Sequence, residues 1–139
     1  MLSKKTQYAI YALANLARNF GKGPIQIERI SNEESIPRKF LEAILLDLRG
    51  TGMVNSKRGK GGGYYLLKHP QEINLADIYR HFEGPIALLP CVSEKYYEKC
   101  SQNKDEATCG VKSTLKEIRD KTVEILQKST LEVIIGKKS

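Results

Sequence analysis

No apolar run in this 139-residue chain approaches the length of a membrane span. Met1-Leu2-Ser3-Lys4-Lys5 turns polar too quickly for the core of an export signal. The expectation is a cytoplasmic protein with no membrane attachment. Histidine is scarce, with only His69 and His81 present. No Ser-His-Asp or Cys-His layout and no metal-type histidine pair is apparent. The glycine run at 59–63 lacks the Lys-Ser/Thr ending of a phosphate loop, and it joins strand-like runs instead of opening a helix. The chain therefore reads as a non-enzyme. It has no internal repeat and no low-complexity tract. Its three cysteines are an odd number, and in a cytoplasmic chain they stay reduced, so a disulfide framework is not expected.

What remains is enough for one domain with a real core. Net charge is +7, from 23 basic and 16 acidic residues. A basic balance favours a polyanionic partner, though weakly by itself. Its distribution adds more. Between Arg38 and Lys60 stand Arg38, Lys39, Arg49, Lys57, Arg58 and Lys60 against Glu42 and Asp47, a local balance of +4.

That segment has a recognisable layout. Val54–Arg58 and Tyr64–Leu67 are strand-like runs joined by Gly59-Lys60-Gly61-Gly62-Gly63, which predicts a β-hairpin with a basic tip. Glycines at such a tip allow close approach to a sugar–phosphate chain. Upstream, Ile10, Leu13, Ala17 and Phe20 recur at helical spacing within a first helix over 6–20. A short helix over 25–32 turns Ile27 and Ile30 inward. Glu33-Glu34-Ser35-Ile36 is then the turn, with Ser35 as cap and Pro37 in the first turn of a third helix. That helix buries Phe40, Leu41, Ile44, Leu45 and Leu48 and leaves Arg38, Lys39, Glu42, Ala43 and Arg49 free to face a groove. Helix, turn, helix and basic hairpin make a winged helix-turn-helix, which lays a helix in the DNA major groove and rests its wing on phosphates.

Beyond the wing, Asn74 starts another helix, which Gly84-Pro85 ends. Ile86 to Pro90 is apolar and extended, and Cys91 to Cys109 is an irregular polar loop. Val111 to Lys128 is the longest helical pattern, with a stripe of Val111, Leu115, Ile118, Thr122, Ile125 and Leu126. Such a helix either folds back on its own domain or crosses the same helix of a second copy. The second is favoured, because two heads suit a two-fold DNA site. Leu131, Val133, Ile134 and Ile135 then cover the interface, and Lys137-Lys138-Ser139 is a frayed tail. The fold class is mainly α with a small β-wing. Residues 1–85 form the DNA-binding domain, 86–110 a cysteine-bearing sensor loop, and 111–139 the dimerisation helix with a C-terminal segment.

Several segments together resemble the Rrf-two (Rrf2) family of bacterial regulators, whose types include IscR, NsrR and CymR. They are Leu2-Ser3-Lys4-Lys5, Tyr8-Ala9, Phe40-Leu41-Glu42, Lys57-Arg58-Gly59-Lys60-Gly61-Gly62-Gly63-Tyr64, Ile73 to Ile78, Glu83-Gly84-Pro85 and Ser129-Thr130-Leu131. The resemblance covers nearly the whole chain. It implies a homodimer on a partly palindromic double-stranded operator, with Arg58 in the minor groove and Glu42 facing base edges in the major groove. A glutamate can accept from a cytosine amino group there. Ala43 stands where IscR-like proteins often have Gln. Lys4, Arg38, Lys39, Lys57, Lys60, Gly61, Gly62 and Tyr64 complete the expected DNA contacts.

The resemblance also places Cys91, Cys100 and Cys109 where many members ligate a 2Fe-2S or 4Fe-4S cluster. The chain departs from that pattern. Its second gap is longer than usual, Lys112 stands where IscR-like proteins have His, and Gln7 stands where NsrR-like proteins have an acid. The fourth ligand is therefore unassigned. Iron–sulfur, redox or nitric-oxide sensing is the leading expectation. The alternatives are a cluster-free thiol switch, helped by Lys95, Lys99 and Lys104, or a response to a small ligand or partner protein. A zinc site ranks lower, because the gaps exceed the usual two to four residues. Three inert thiols in a loop remain the plainest alternative.

Overall fold

The computed structural model describes residues 2–137, so Lys138 and Ser139 of the expected tail lie outside the described residues. Helix α1 spans Lys4–Arg18, α2 Ile27–Glu34 and α3 Arg38–Gly50. Strands β1 (Val54–Lys57) and β2 (Gly63–Leu66) follow, then α4 (Leu75–Phe82), α5 (Gly110–Lys128) and α6 (Leu131–Gly136). Ser3 caps α1 by accepting the Thr6 N–H at 3.2 Å. Ala9, Ala12, Leu13, Leu16 and Ala17 line its inner face. They meet Ile30, Ile36, Leu41, Ile44, Leu45, Leu48, Val54 and Ile78 in the main core. Each fully buried leucine or isoleucine contributes roughly 1.5–3 kcal/mol relative to an exposed one.

Two local expectations are corrected. Ser35 does not cap α3. It closes α2 in the left-handed conformation at φ 55°, while Ser31 Oγ donates to the Ile36 carbonyl at 2.6 Å across the turn. Pro37 precedes α3 with no side-chain cap. Phe40 is not core either: it is 42% exposed and packs edge-on against Tyr8.

β1 and β2 pair antiparallel, from Val54 opposite Leu66 to Lys57 opposite Gly63. A third segment joins them: Ile25 and Tyr64 exchange N–H···O bonds of 2.8 Å in both directions. Gly63 adopts φ +146° there, and a Cβ on it would overlap the Ile25 carbonyl. A Cβ on Gly62 would overlap the Lys57 carbonyl. At these two positions glycine serves the hairpin's own backbone.

Asn74 caps α4 by accepting the Asp77 N–H at 3.0 Å. Glu83, at the other end of α4, accepts from Ser3 N–H at 2.8 Å and Thr6 Oγ1 at 2.6 Å, tying α4 to the start of α1. Asp47 of α3 meets Lys5 of α1 at 3.1 Å and His81 of α4 at 2.8 Å. The α5–α6 junction is stitched onto the start of α4, with Leu75 N–H on Ser129 O and Leu131 N–H on Ile73 O. Leu131 is fully buried, and Ile134 and Ile135 pack against the main core. Leu131, Ile134 and Ile135 thus pack on the amino-terminal core, while Val133 of the same segment stays exposed.

Of the expected α5 stripe, Leu126 packs inward beside Val123, which that stripe left out, against Ala76, Tyr79 and Ile86. Val111, Ile118 and Ile125 stay 61%, 45% and 64% exposed on another face. No helix among the described residues is long and apolar enough to cross a membrane.

Candidate nucleic-acid interface and cysteine loop

α3 has two faces. Leu41, Ile44, Leu45 and Leu48 are buried, while Arg38, Lys39, Glu42, Ala43 and Arg49 are exposed. Arg38 pairs with Glu28 of α2 at 2.9 Å and with Glu42 one turn on at 3.4 Å. Lys57, Arg58, Lys60 and Gly61 are exposed at the wing, whereas Gly62 is buried and Tyr64 half-buried by its pairing with Ile25. Lys4, at the start of α1, holds its ammonium 5.6 Å from the centre of the Tyr8 ring. A cavity of about 470 Å³ lies at the root of the wing, lined by Asn19, Phe20, Ser56, Lys57, Tyr64 and Tyr65 among others.

The cysteine loop starts from a one-turn 3-10 helix, Pro90–Val92, and ends at the cap of α5. Cys91 is buried beside Val92. Arg119 of α5 reaches back to donate to the Val92 carbonyl at 2.6 Å and also contacts Asp120 and Glu94. Arg80 of α4 approaches Glu94 from the other side at 3.6 Å. Cys109 is the N-cap of α5, its Sγ accepting the Lys112 N–H at 3.4 Å.

Glu106 gathers the rest of the loop. It accepts from Tyr97 Oη at 2.7 Å, from the Cys100 N–H at 3.0 Å and from Lys112 Nζ at 2.9 Å. Hydrogen bonds from Tyr97 and then Lys112, outweighing partial desolvation, hold its carboxyl down at about 2. The bond to Glu106 pushes both the Tyr97 phenol and the Lys112 ammonium up. Sequence reasoning missed Glu106 and Arg119, because their partners lie 6 to 27 residues away.

The resemblance implies an iron–sulfur cluster on Cys91, Cys100 and Cys109. Among the described residues, no three of His, Cys, Asp and Glu stand where they could hold a metal ion. Cys91 is committed to a buried turn and Cys109 to a helix cap. Gln7 donates to the Leu2 carbonyl, His69 accepts the Gln71 N–H, and His81 pairs with Asp47. In this arrangement the thiols do not fit a cluster.

A two-faced helix, a basic wing and a long trailing helix define a winged-helix regulator. Residues 2–137 match the profile of the Rrf2 family, described as an iron-dependent transcriptional regulator. The chain is 39% identical to an rrf2-like HTH-type transcriptional regulator of Rhodobacter capsulatus, over 98% of this chain and 93% of that protein. It superposes on CymR, the global cysteine regulator of B. subtilis, with a TM-score of 0.83 and 29% identity, covering 100% of this chain and 98% of the other. T. potens IscR gives a TM-score of 0.76 at 28% identity, covering 97% of this chain and 85% of that one. The chain belongs to the Rrf2 family. It is a transcriptional regulator and not an enzyme.

Proposed function

We propose that this regulator works as a homodimer in the cytoplasm, on a partly palindromic double-stranded DNA operator. α3 enters the major groove with Glu42 toward base edges, and the wing carries Arg58 into the minor groove. The observation that carries this reading is the division of α3 and the wing into a buried apolar side and an exposed side bearing Arg38, Lys39, Glu42, Arg49, Lys57, Arg58 and Lys60. The exposed Val111, Ile118 and Ile125 on α5 supply the apolar seam for a second copy.

The sensory element is the loop of Cys91, Cys100 and Cys109. Its family place supports iron–sulfur, redox or nitric-oxide sensing. Ligation there requires Cys91 to leave its buried turn and Cys109 its cap. The present positions of those thiols favour the second reading, a cluster-free regulator whose signal is a thiol reaction, small ligand or partner protein.

Operator binding is tested by titration across a salt series. Log affinity should fall against log salt with a slope of about −0.9 per phosphate neutralised. Arg58→Ala should lose more specific affinity than Lys137→Ala, and equal losses remove the wing from the interface. Purification without oxygen, with iron and sulfide assayed, separates the two sensing readings.

A further inference from the structure

The cysteine loop has almost nothing apolar to hold it. After the buried Cys91-Val92-Ser93 turn, residues 94–108 are exposed except for the half-buried Cys100 and Glu106. Hydrophobic burial therefore cannot set the loop's shape, and polar contacts must. The Glu98 N–H reaches the Pro90 carbonyl and Asp105 closes a short turn, but the longer side-chain contacts of residues 97–106 converge on Glu106. Its carboxylate takes a hydroxyl from Tyr97, a backbone N–H from Cys100 and an ammonium from Lys112, so three points along the loop and the first turn of α5 meet at one group. The Lys112 ammonium also lies 5.8 Å from the centre of the Tyr97 ring. The Lys112 backbone N–H meanwhile holds Cys109 in its capping position. The side chains of Lys112 and Glu106 are only 24% and 22% exposed, so salt screens this pair less than an open surface pair.

We propose that Glu106, closed on Lys112, is the latch that folds the three-cysteine loop in its reduced, metal-free state. While the latch is shut, Cys100 is fixed through its backbone and Cys109 stays on the end of α5. Any signal that recruits Cys100 and Cys109 together must first open the Glu106–Lys112 contact. The cluster-incompatible placement of the cysteines is then a defined closed state of the loop, built from this chain's own side chains. The regulatory consequence rests on the reading of residues 91–109 as the sensory element; the latch itself does not.

The experiment uses the full chain, reduced and treated with a chelator. Wild type, Glu106→Gln, Lys112→Gln and the double variant are compared by hydrogen exchange over residues 97–112 and by iodoacetamide alkylation rates of Cys100 and Cys109. Cys91, held in a turn that Glu106 does not touch, is the internal reference. Glu106→Gln should speed alkylation of Cys100 and Cys109 about tenfold, by raising the open population of a charge-assisted contact, with Cys91 unchanged. Lys112→Gln should act in the same direction. The double variant should be no faster than Glu106→Gln, as expected for one shared contact. Unchanged alkylation in both single variants, additive effects in the double, or an unprotected loop in wild type each overturn the latch. Lysine substitution keeps the test valid if Glu106→Gln alone misfolds. Failure of the wild type to bind an operator would count against the proposed function and leave the latch result standing.

Discussion

Arg119 donates through Nη1 to the carbonyl of Val92, the residue after Cys91, at 2.6 Å. That bond joins the long α5 helix to the first turn of the cysteine loop. The Arg119 side chain is only 12% exposed and Val92 is 1% exposed, so the carbonyl has little access to water if the bond is lost. Arg119→Gln should destabilise the chain by roughly 1–3 kcal/mol, the range for orphaning a buried acceptor. Urea unfolding gives the total, and hydrogen exchange should show the loss centred on residues 91–94. A change spread evenly over α1–α3 would contradict a local pin.

Gly63 and Gly61 sit in one hairpin but under different constraints. Gly61 has φ +77° with nothing near its missing Cβ, whereas Gly63 has φ +146° and faces the Ile25 carbonyl. Gly61→Ala should therefore show backbone strain alone, about 1–2 kcal/mol. Gly63→Ala adds a backbone overlap and should cost more, through loss of the Ile25–Tyr64 exchange as well as strain of about 1–3 kcal/mol. Paired denaturation curves check the order, and equal costs would mean that the Ile25 strand gives way freely.

Much of this architecture was legible in local signals. Helical spacing gave α1 and α5, the glycine-joined runs gave the hairpin, and Asn74 marked the start of α4. What sequence could not carry was partnership across distance. Ser31 and Ser35 are equally plausible turn residues until the Ile36 carbonyl is seen to bond Ser31. Phe40 fits the apolar stripe but finds Tyr8 at the surface instead of the core. Gly62 and Gly63 resemble the rest of the glycine run, yet their neighbours are the chain's own carbonyls. Leu131 reads as cover for a dimer interface until α6 is seen to close on α1. Of the candidate sites, the basic residues were legible because charge and periodicity are local. The partners of Glu106 and Arg119 were not.

Glu83 offers a pH test. Its carboxyl is lowered from 4.5, first by the hydrogen bond from Thr6 and then by those from Ser3. In the unfolded chain the group takes up a proton at a higher pH than in the folded one, so stability rises with pH through that window. The contribution is fully present above about pH 4.5 and is lost as pH falls through the lowered folded value. Wild type should exceed Glu83→Gln in thermal stability at about pH 7, and the gap should close as the buffer is taken down past about pH 4. A gap that stays constant with pH would assign the effect to packing.

Glu42 is the proposed base reader, and its free-state partner is Arg38 at 3.4 Å. If it accepts from a cytosine, Glu42→Ala should relax discrimination at one base position by roughly 1–3 kcal/mol. Non-specific affinity should hold or rise, because a negative charge near phosphates is gone. Binding-site selection reads both quantities. Unchanged discrimination would leave Glu42 as a partner of Arg38 and nothing more.

Val111, Ile118 and Ile125 are spaced seven residues apart and remain exposed, while Val123 on the opposite side is buried against α4. The chain's own core already uses the inner face of α5, so the outer one is available to a second copy. Ile118→Lys with Ile125→Lys should leave the fold of each subunit within about 0.5 kcal/mol, as for exposed sites away from core contacts. Sedimentation at micromolar concentration should then show a monomer, against the dimer proposed for wild type. Operator affinity should fall with it, since two tethered heads bind far more tightly than one through raised effective concentration. A variant that still sediments as a dimer moves the seam elsewhere. A monomer that retains full operator affinity removes the two-headed reading.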